Sequence, residues 1–164
     1  MTTKGNLQIT PLHSPKSFIS DVLIVEIGNI SNTHHYLCFV LISVAIEFLG
    51  KCIDDSVNNW NEGGSEKLFN LAIEKLMPKY RPYNLYKLLR CGLAHHLAPQ
   101  SGLNLSQKKD GDIHLSVLSD GSLTLNIEDF YEDFKIACQN VINNIDKNLY
   151  KNNKMYSPFL VDKK

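Results

Sequence analysis

The stretch Tyr36 to Leu49 (YLCFVLISVAIEFL) constrains the fold more than any other, because apolar residues fill nearly every position. Only Ser43 and Glu47 interrupt it, and the run is shorter than the ~18–20 apolar residues of a membrane span. A helix apolar on nearly all sides has to be wrapped by other helices. The run therefore predicts a central bundle helix from about His34 to Ile53, with Ser31-Asn32-Thr33 supplying its turn and cap residues. At 164 residues and 43% hydrophobic, the chain has the material to surround that helix within one domain.

The remaining patterns supply the surroundings. Residues 1–16 read as a loose leader, and a helix is expected over Ser17 to Ile30. There Phe18, Val22 and Val25 share one stripe, and Ile19, Leu23, Ile27 and Ile30 another. The Val/Ile content leaves a strand open at this point. Residues 54–65 form a polar loop with Asn58-Asn59 and Gly63-Gly64. Its Trp60 is either a lid anchor or partner contact, or a ring folded back onto the bundle. Ser65 and Glu66 open a third helix with Leu68, Leu71, Ala72, Leu76 and Met77 on its stripe. Pro78 and Pro82 bracket the way to a fourth helix, which Pro99 ends.

After a polar loop (100–111) the period changes to two. Ile113, Leu115 and Val117 alternate with polar residues, Asp120-Gly121 turns, and Leu123, Leu125 and Ile127 alternate again. That is a β-hairpin over about 113–127 with its apolar face on the bundle. Glu128 and Asp129 open the last helix, where their charge suits the helix dipole. Phe130, Phe134, Ala137, Cys138, Val141, Ile142, Ile145 and Leu149 line one face of it. The expected fold is mainly α: a four-to-five-helix bundle over residues 17–150, one hairpin before the last helix, and a polar tail at 151–164.

Charge narrows the function. Lys plus Arg and Asp plus Glu both total 17, giving a formal net charge of zero. Unspecific coating of nucleic acid needs excess positive charge, so only a small local basic site is compatible with this balance. The four cysteines (Cys38, Cys52, Cys91, Cys138) are scattered, with no CxxC pair. Met1 to Lys16 is polar and Pro-interrupted, unlike a signal peptide. Unpaired thiols in a reducing cytoplasm are expected, with no membrane attachment. His35 and Cys38 have metal-ligand spacing at i, i+3, but nothing completes a ligand set, so no metal and no cofactor is expected. Gly63-Gly64 lacks the flanking pattern of a phosphate loop.

Chemistry concentrates in the fourth helix, Leu85-Tyr-Lys-Leu-Leu-Arg90-Cys-Gly-Leu-Ala-His95-His-Leu-Ala-Pro99. Arginine clamps phosphate and histidine moves protons near neutral pH. At about 100° per residue, Leu85, Leu88, Leu89, Gly92, Leu93 and His96 fall on the core face. Lys87, Cys91, Ala94 and Ala98 lie opposite, flanked by Arg90 and His95 about 140° apart. A strip of such small residues admits a second helix at close range. If that helix is the same segment of a second copy, a two-fold axis gathers two arginines and two histidines into one site. The alternative is an outward arginine and a C-terminal histidine that merely complements the dipole. Gly92 costs about 1 kcal/mol within a helix and needs a reason such as close packing. Cys91 as a nucleophile beside His95 is set against a buried or interfacial thiol.

The segment Leu89-Arg90-Cys91-Gly92-Leu93-Ala94-His95 resembles the R-x4–6-H motif of the HEPN superfamily, as does its setting on a late helix of a compact bundle. The resemblance implies a homodimer through the helix carrying Arg90 and His95, acting as a metal-independent endoribonuclease, with a toxin or defence effector role by analogy. It implies Arg90 on the scissile phosphate, with Lys87 beside it toward RNA, and His95 as general acid/base. RNA is then the substrate, and an antitoxin or other protein a partner. Members often carry an acid on an earlier helix that orients the arginine. Glu47 is the residue that fits, the alternative being an i, i+4 pair with Lys51. Two positions depart from the pattern: Cys91 stands where many active members have Asn, Asp or His, and Leu97 where some toxins have Tyr. The other function open to such a chain is a non-catalytic HEPN-like dimer binding RNA, a nucleotide or a protein.

Overall fold

The computed structural model describes residues 14–56 and 63–151. The first thirteen residues of the leader, Trp60 and the tail beyond Lys151 lie outside the described residues. Among the described residues, five helices and a two-stranded sheet make up the fold.

Helix α1 begins with the turn Pro15–Phe18, widens to a π stretch at Ile19–Glu26 and closes with Ile27–Ile30. It starts two residues before Ser17, because Ser14 caps it by accepting the Ser17 N–H at 3.2 Å and Pro15 fits the first turn. Ile19, Leu23 and Ile27 are buried, so the segment is a helix and not a strand. Lys16 ties its start to Asp146 at the far end of the last helix, 2.5 Å away.

Helix α2, His35–Ile53, buries Cys38, Phe39, Ile42, Ala45, Ile46 and Leu49. It is not enclosed on all sides: Leu37, Leu41 and Val44 are exposed, beside a groove of about 360 Å³ that α2 shares with α1. At 19 residues α2 is, by length and composition, able to cross a membrane, more than the apolar run alone indicated; 61% of the tested window is buried inside the fold. Helix α3, Ser65–Leu76, crosses α2 so closely that a Cβ on Gly50 would sit 2.0 Å from the Leu68 carbonyl oxygen. Only glycine permits this contact.

A 3-10 turn, Pro78–Tyr80, leads toward α4, which comprises a π stretch Tyr86–Cys91 and an α turn Gly92–His96. Leu97 adopts the left-handed region (φ 52°) and ends it, two residues ahead of Pro99. The chain then doubles back, with the Gln100 N–H donating to the Leu88 carbonyl at 2.9 Å. A Cβ on Gly92 would meet the Ala98 carbonyl oxygen at 2.3 Å. The close packing that Gly92 required is thus with its own returning chain.

The sheet differs in detail from the expected hairpin. Residues 100–111 are not all loop: β1, Leu103–Ser106, pairs in parallel with β2, Leu123–Asn126, in the register Leu103↔Leu123. The turn at Asp120-Gly121 forms and backbone hydrogen bonds join residues 115–118 to 122–124 in antiparallel fashion, but the first arm makes an isolated bridge, Val117↔Leu123, and not a regular strand. Leu115 has φ 60°, which breaks the alternation a strand requires. Ile113 and Val117 therefore point outward, 74% and 62% exposed, while Leu123, Leu125 and Ile127 are buried as expected. Helix α5, Ile127–Asp146, closes the bundle with Phe130, Phe134, Ala137, Cys138, Val141 and Ile145 in the core. Of the two remaining expected core residues, Ile142 only packs against that core and Leu149 is exposed.

Candidate functional site

Arg90 lies in the π stretch of α4 and turns toward α2, where its Nη2 donates to Glu47 Oε2 at 2.9 Å. Two of the three residues expected to act together therefore do meet, across 43 residues of sequence. Both side chains are largely covered, 16% and 15% exposed. Glu47 is fixed from other directions too. The Ser65 hydroxyl, at the start of α3, donates to the same Oε2, and the Lys51 ammonium lies 4.0 Å from Oε1. The Lys51 pairing and the Arg90 pairing, weighed as alternatives from spacing, thus coexist on one carboxylate. The Tyr86 ring lies beneath the guanidinium, 6.0 Å from ring centroid to Cζ.

The Arg90 Nε–H is buried and, among the described residues, has no hydrogen-bond partner. A buried unmade hydrogen bond costs about 1–3 kcal/mol, so this guanidinium is held without being satisfied. A wide turn also changes the geometry read from a 3.6-residue wheel. A π turn closes i→i+5 hydrogen bonds, so positions over Tyr86–Cys91 advance by less than 100° each.

His95 sits on the α turn after Gly92, exposed to solvent, with its ring 6.4 Å from that of His96 and in no recorded contact with Arg90 or Glu47. His96 is exposed as well, not on the core face: α4 ends beneath it and the returning chain covers Gly92 instead. Lys87, Ala94 and Ala98 are exposed and Cys91 is half-buried, so the outward small-residue strip is present. The end of α4 is held against the start of α2 by the Tyr36 hydroxyl, which donates to the Leu97 carbonyl.

Ser65 and Tyr86 were not singled out by sequence reasoning. The signal for Ser65 was its place as first residue of α3, which was read only as a helix start. A second polar cluster, also missed, joins the Pro78–Tyr80 turn to α5. His114 Nδ1 accepts the Asn126 backbone N–H at 3.0 Å, which leaves the ring proton on Nε2. Nε2–H faces the Tyr80 oxygen at 2.9 Å, and the Tyr80 hydroxyl donates to Asp133 Oδ2 at 2.5 Å. Lys79 pairs with Asp133 from outside. Burial and then the Asp133 hydrogen bond push the Tyr80 hydroxyl far above its ordinary pKa. Burial, followed by the Lys79 charge, lowers that of His114.

Among the described residues, no group of three or more His, Cys, Asp or Glu side chains is placed to hold a metal ion. Cys38, Cys52 and Cys138 are buried, with burial pushing the Cys38 thiol up to about 12. They pack as small apolar groups. Comparison with protein-family models, with curated proteins and with solved structures found no match for the chain.

Proposed function

We propose that this chain is a HEPN-like endoribonuclease that cleaves RNA without a metal, at a site composed by two copies in the cytoplasm, with a toxin or defence role. The observation that carries the reading is the Glu47–Arg90 pair, in which an acid on an early helix orients the motif arginine. In this reading Arg90 turns to the scissile phosphate and stabilises the charge that builds on its oxygens. Lys87, exposed on the same helix, meets the neighbouring backbone. A 2′-hydroxyl attacks the adjacent phosphorus and the P–O5′ bond breaks, leaving a 2′,3′-cyclic phosphate and a 5′-hydroxyl. His95 carries the proton. Because His95 and Arg90 have no recorded contact within one chain, the histidine acts with the arginine of a second copy brought up along the small-residue strip of α4.

The orientation of Arg90 toward Glu47 and the presence of Cys91 beside it favour a second reading. In that case α4 belongs to a non-catalytic dimeric module that binds RNA, a nucleotide or a protein partner such as an antitoxin. The deciding experiment is cleavage of a mixed RNA pool with EDTA present. Wild type is expected to cleave, and Arg90→Ala and His95→Ala to lose about 100-fold or more while remaining dimeric. An intact pool with wild type moves the assignment to the binding module.

A further inference from the structure

We infer that Ser65 is a positioning residue for Arg90, acting through Glu47, so that the packing of the first turn of α3 on α2 sets how the guanidinium is held. This rests on the reading of Arg90 as the anion-binding group. Glu47 Oε2 takes two donors, the Ser65 hydroxyl and Arg90 Nη2. Among the described residues, the Nη2 bond is the only hydrogen bond recorded for the Arg90 side chain, and its Nε–H has no partner. A guanidinium held by one bond turns with the oxygen it is bonded to. The Ser65 hydroxyl fixes that oxygen in place.

Ser65 cannot move independently of α2. The two helices touch at Gly50, where the Leu68 backbone leaves no room even for a methyl group. Beyond that crossing Asp54, at the end of α2, accepts from the Ser56 N–H at 2.9 Å, the Ser56 hydroxyl at 2.6 Å and Lys67 Nζ at 3.0 Å. The first turn of α3 is thus pinned to α2 at Glu47, Gly50 and Asp54, and two of these ties flank the connection between the helices. Any partner or ligand that shifts the start of α3 moves the Glu47 carboxylate, and Arg90 follows.

The test uses the full chain with 15N-labelled arginine and two readouts: exchange of the Arg90 Nε–H with water, and affinity for inorganic phosphate. Ser65→Ala is expected to speed that exchange at least about 5-fold, since a charge-assisted hydrogen bond to the shared oxygen is lost. Phosphate affinity should weaken by a similar factor. Ser65→Thr, which keeps the hydroxyl, is expected to restore both, and Ser65→Cys, a weaker donor, to fall between; the latter also serves should Ser65→Ala not fold. Unchanged exchange in Ser65→Ala and Ser65→Cys, or a failure of Ser65→Thr to restore it, overturns the assignment. If exchange responds as stated but the wild type binds no phosphate, Ser65 still positions Arg90 and it is the anion-binding reading that falls.

Discussion

Two polar clusters sit at helix junctions of this bundle, and they differ in what each leaves without a partner among the described residues: an acceptor, Asn126 Oδ1, in one and a donor, Arg90 Nε–H, in the other. Around Tyr80, both nitrogens of His114, the tyrosine hydroxyl and an oxygen of Asp133 form one chain of donors and acceptors. Around Arg90, three groups converge on Glu47 while a buried N–H is left over. Tyr80 is wholly buried, whereas Ala94 to Ala98, at the end of the helix that carries Arg90, are open to solvent. The continuous chain from Asn126 through His114 and Tyr80 to Asp133 rigidifies the fold there. The Arg90 cluster leaves a buried N–H unpaired among the described residues, on the same helix as the exposed His95.

The sharpest way to break the contrast is Gly50→Ala. The new methyl must push the α3 backbone away from α2, at a cost of about 2–4 kcal/mol. A fall in thermal midpoint, with disturbed Ser65 and Glu47 resonances and an unperturbed His114 ring, is the expected result; an unchanged midpoint contradicts the packing described. Next in size is Tyr80→Phe, which strands His114 Nε2–H and removes a donor from Asp133. Denaturant unfolding should show a loss of about 1–3 kcal/mol, and RNA cleavage per folded molecule should be unaltered.

Acid probes the same cluster more gently. Burial lowers the folded-state pKa of His114, so between the unfolded value of about 6.5 and that lower value the unfolded chain binds more protons. Stability from this residue is complete above about pH 6.5 and is lost as pH falls through the folded value. Urea midpoints measured from pH 7 down to 5 should decline, and His114→Gln should flatten part of that decline. The smallest stability effect is expected for His95→Ala, within about 0.5 kcal/mol, since the side chain is exposed and makes no hydrogen bond among the described residues. A much larger loss would show that His95 belongs to the scaffold and not to a site.

How legible each part was follows from the range of the interactions that fix it. The α2 and α5 spans and most of their buried faces could be read from local periodicity, because a 3.6-residue stripe repeats whatever it packs against. Glu47 stood out as the lone acid in an apolar run, and the structure supplied its partners. The hairpin was half legible. Asp120-Gly121 does turn the chain and Leu123, Leu125 and Ile127 do go inward, but nothing local shows that Leu103–Ser106, some 20 residues earlier, takes the other edge of β2. The exposure of Leu37, Leu41 and Val44 was likewise hidden, since an apolar helix does not show how many neighbours will cover it.

By itself, then, the sequence determined a mainly helical bundle, the order of its helices and a chemically distinctive fourth helix. These depend on short-range spacing, capping and turn residues, which act within a few residues of one another. Only the tertiary structure decided that Ser65 shares Glu47 with Arg90, that His114 is held by Asn126 and faces Tyr80, and that Gly92 is covered by Ala98–Gln100. Those contacts depend on where separate elements come to rest, and that is set by the packing of the whole core.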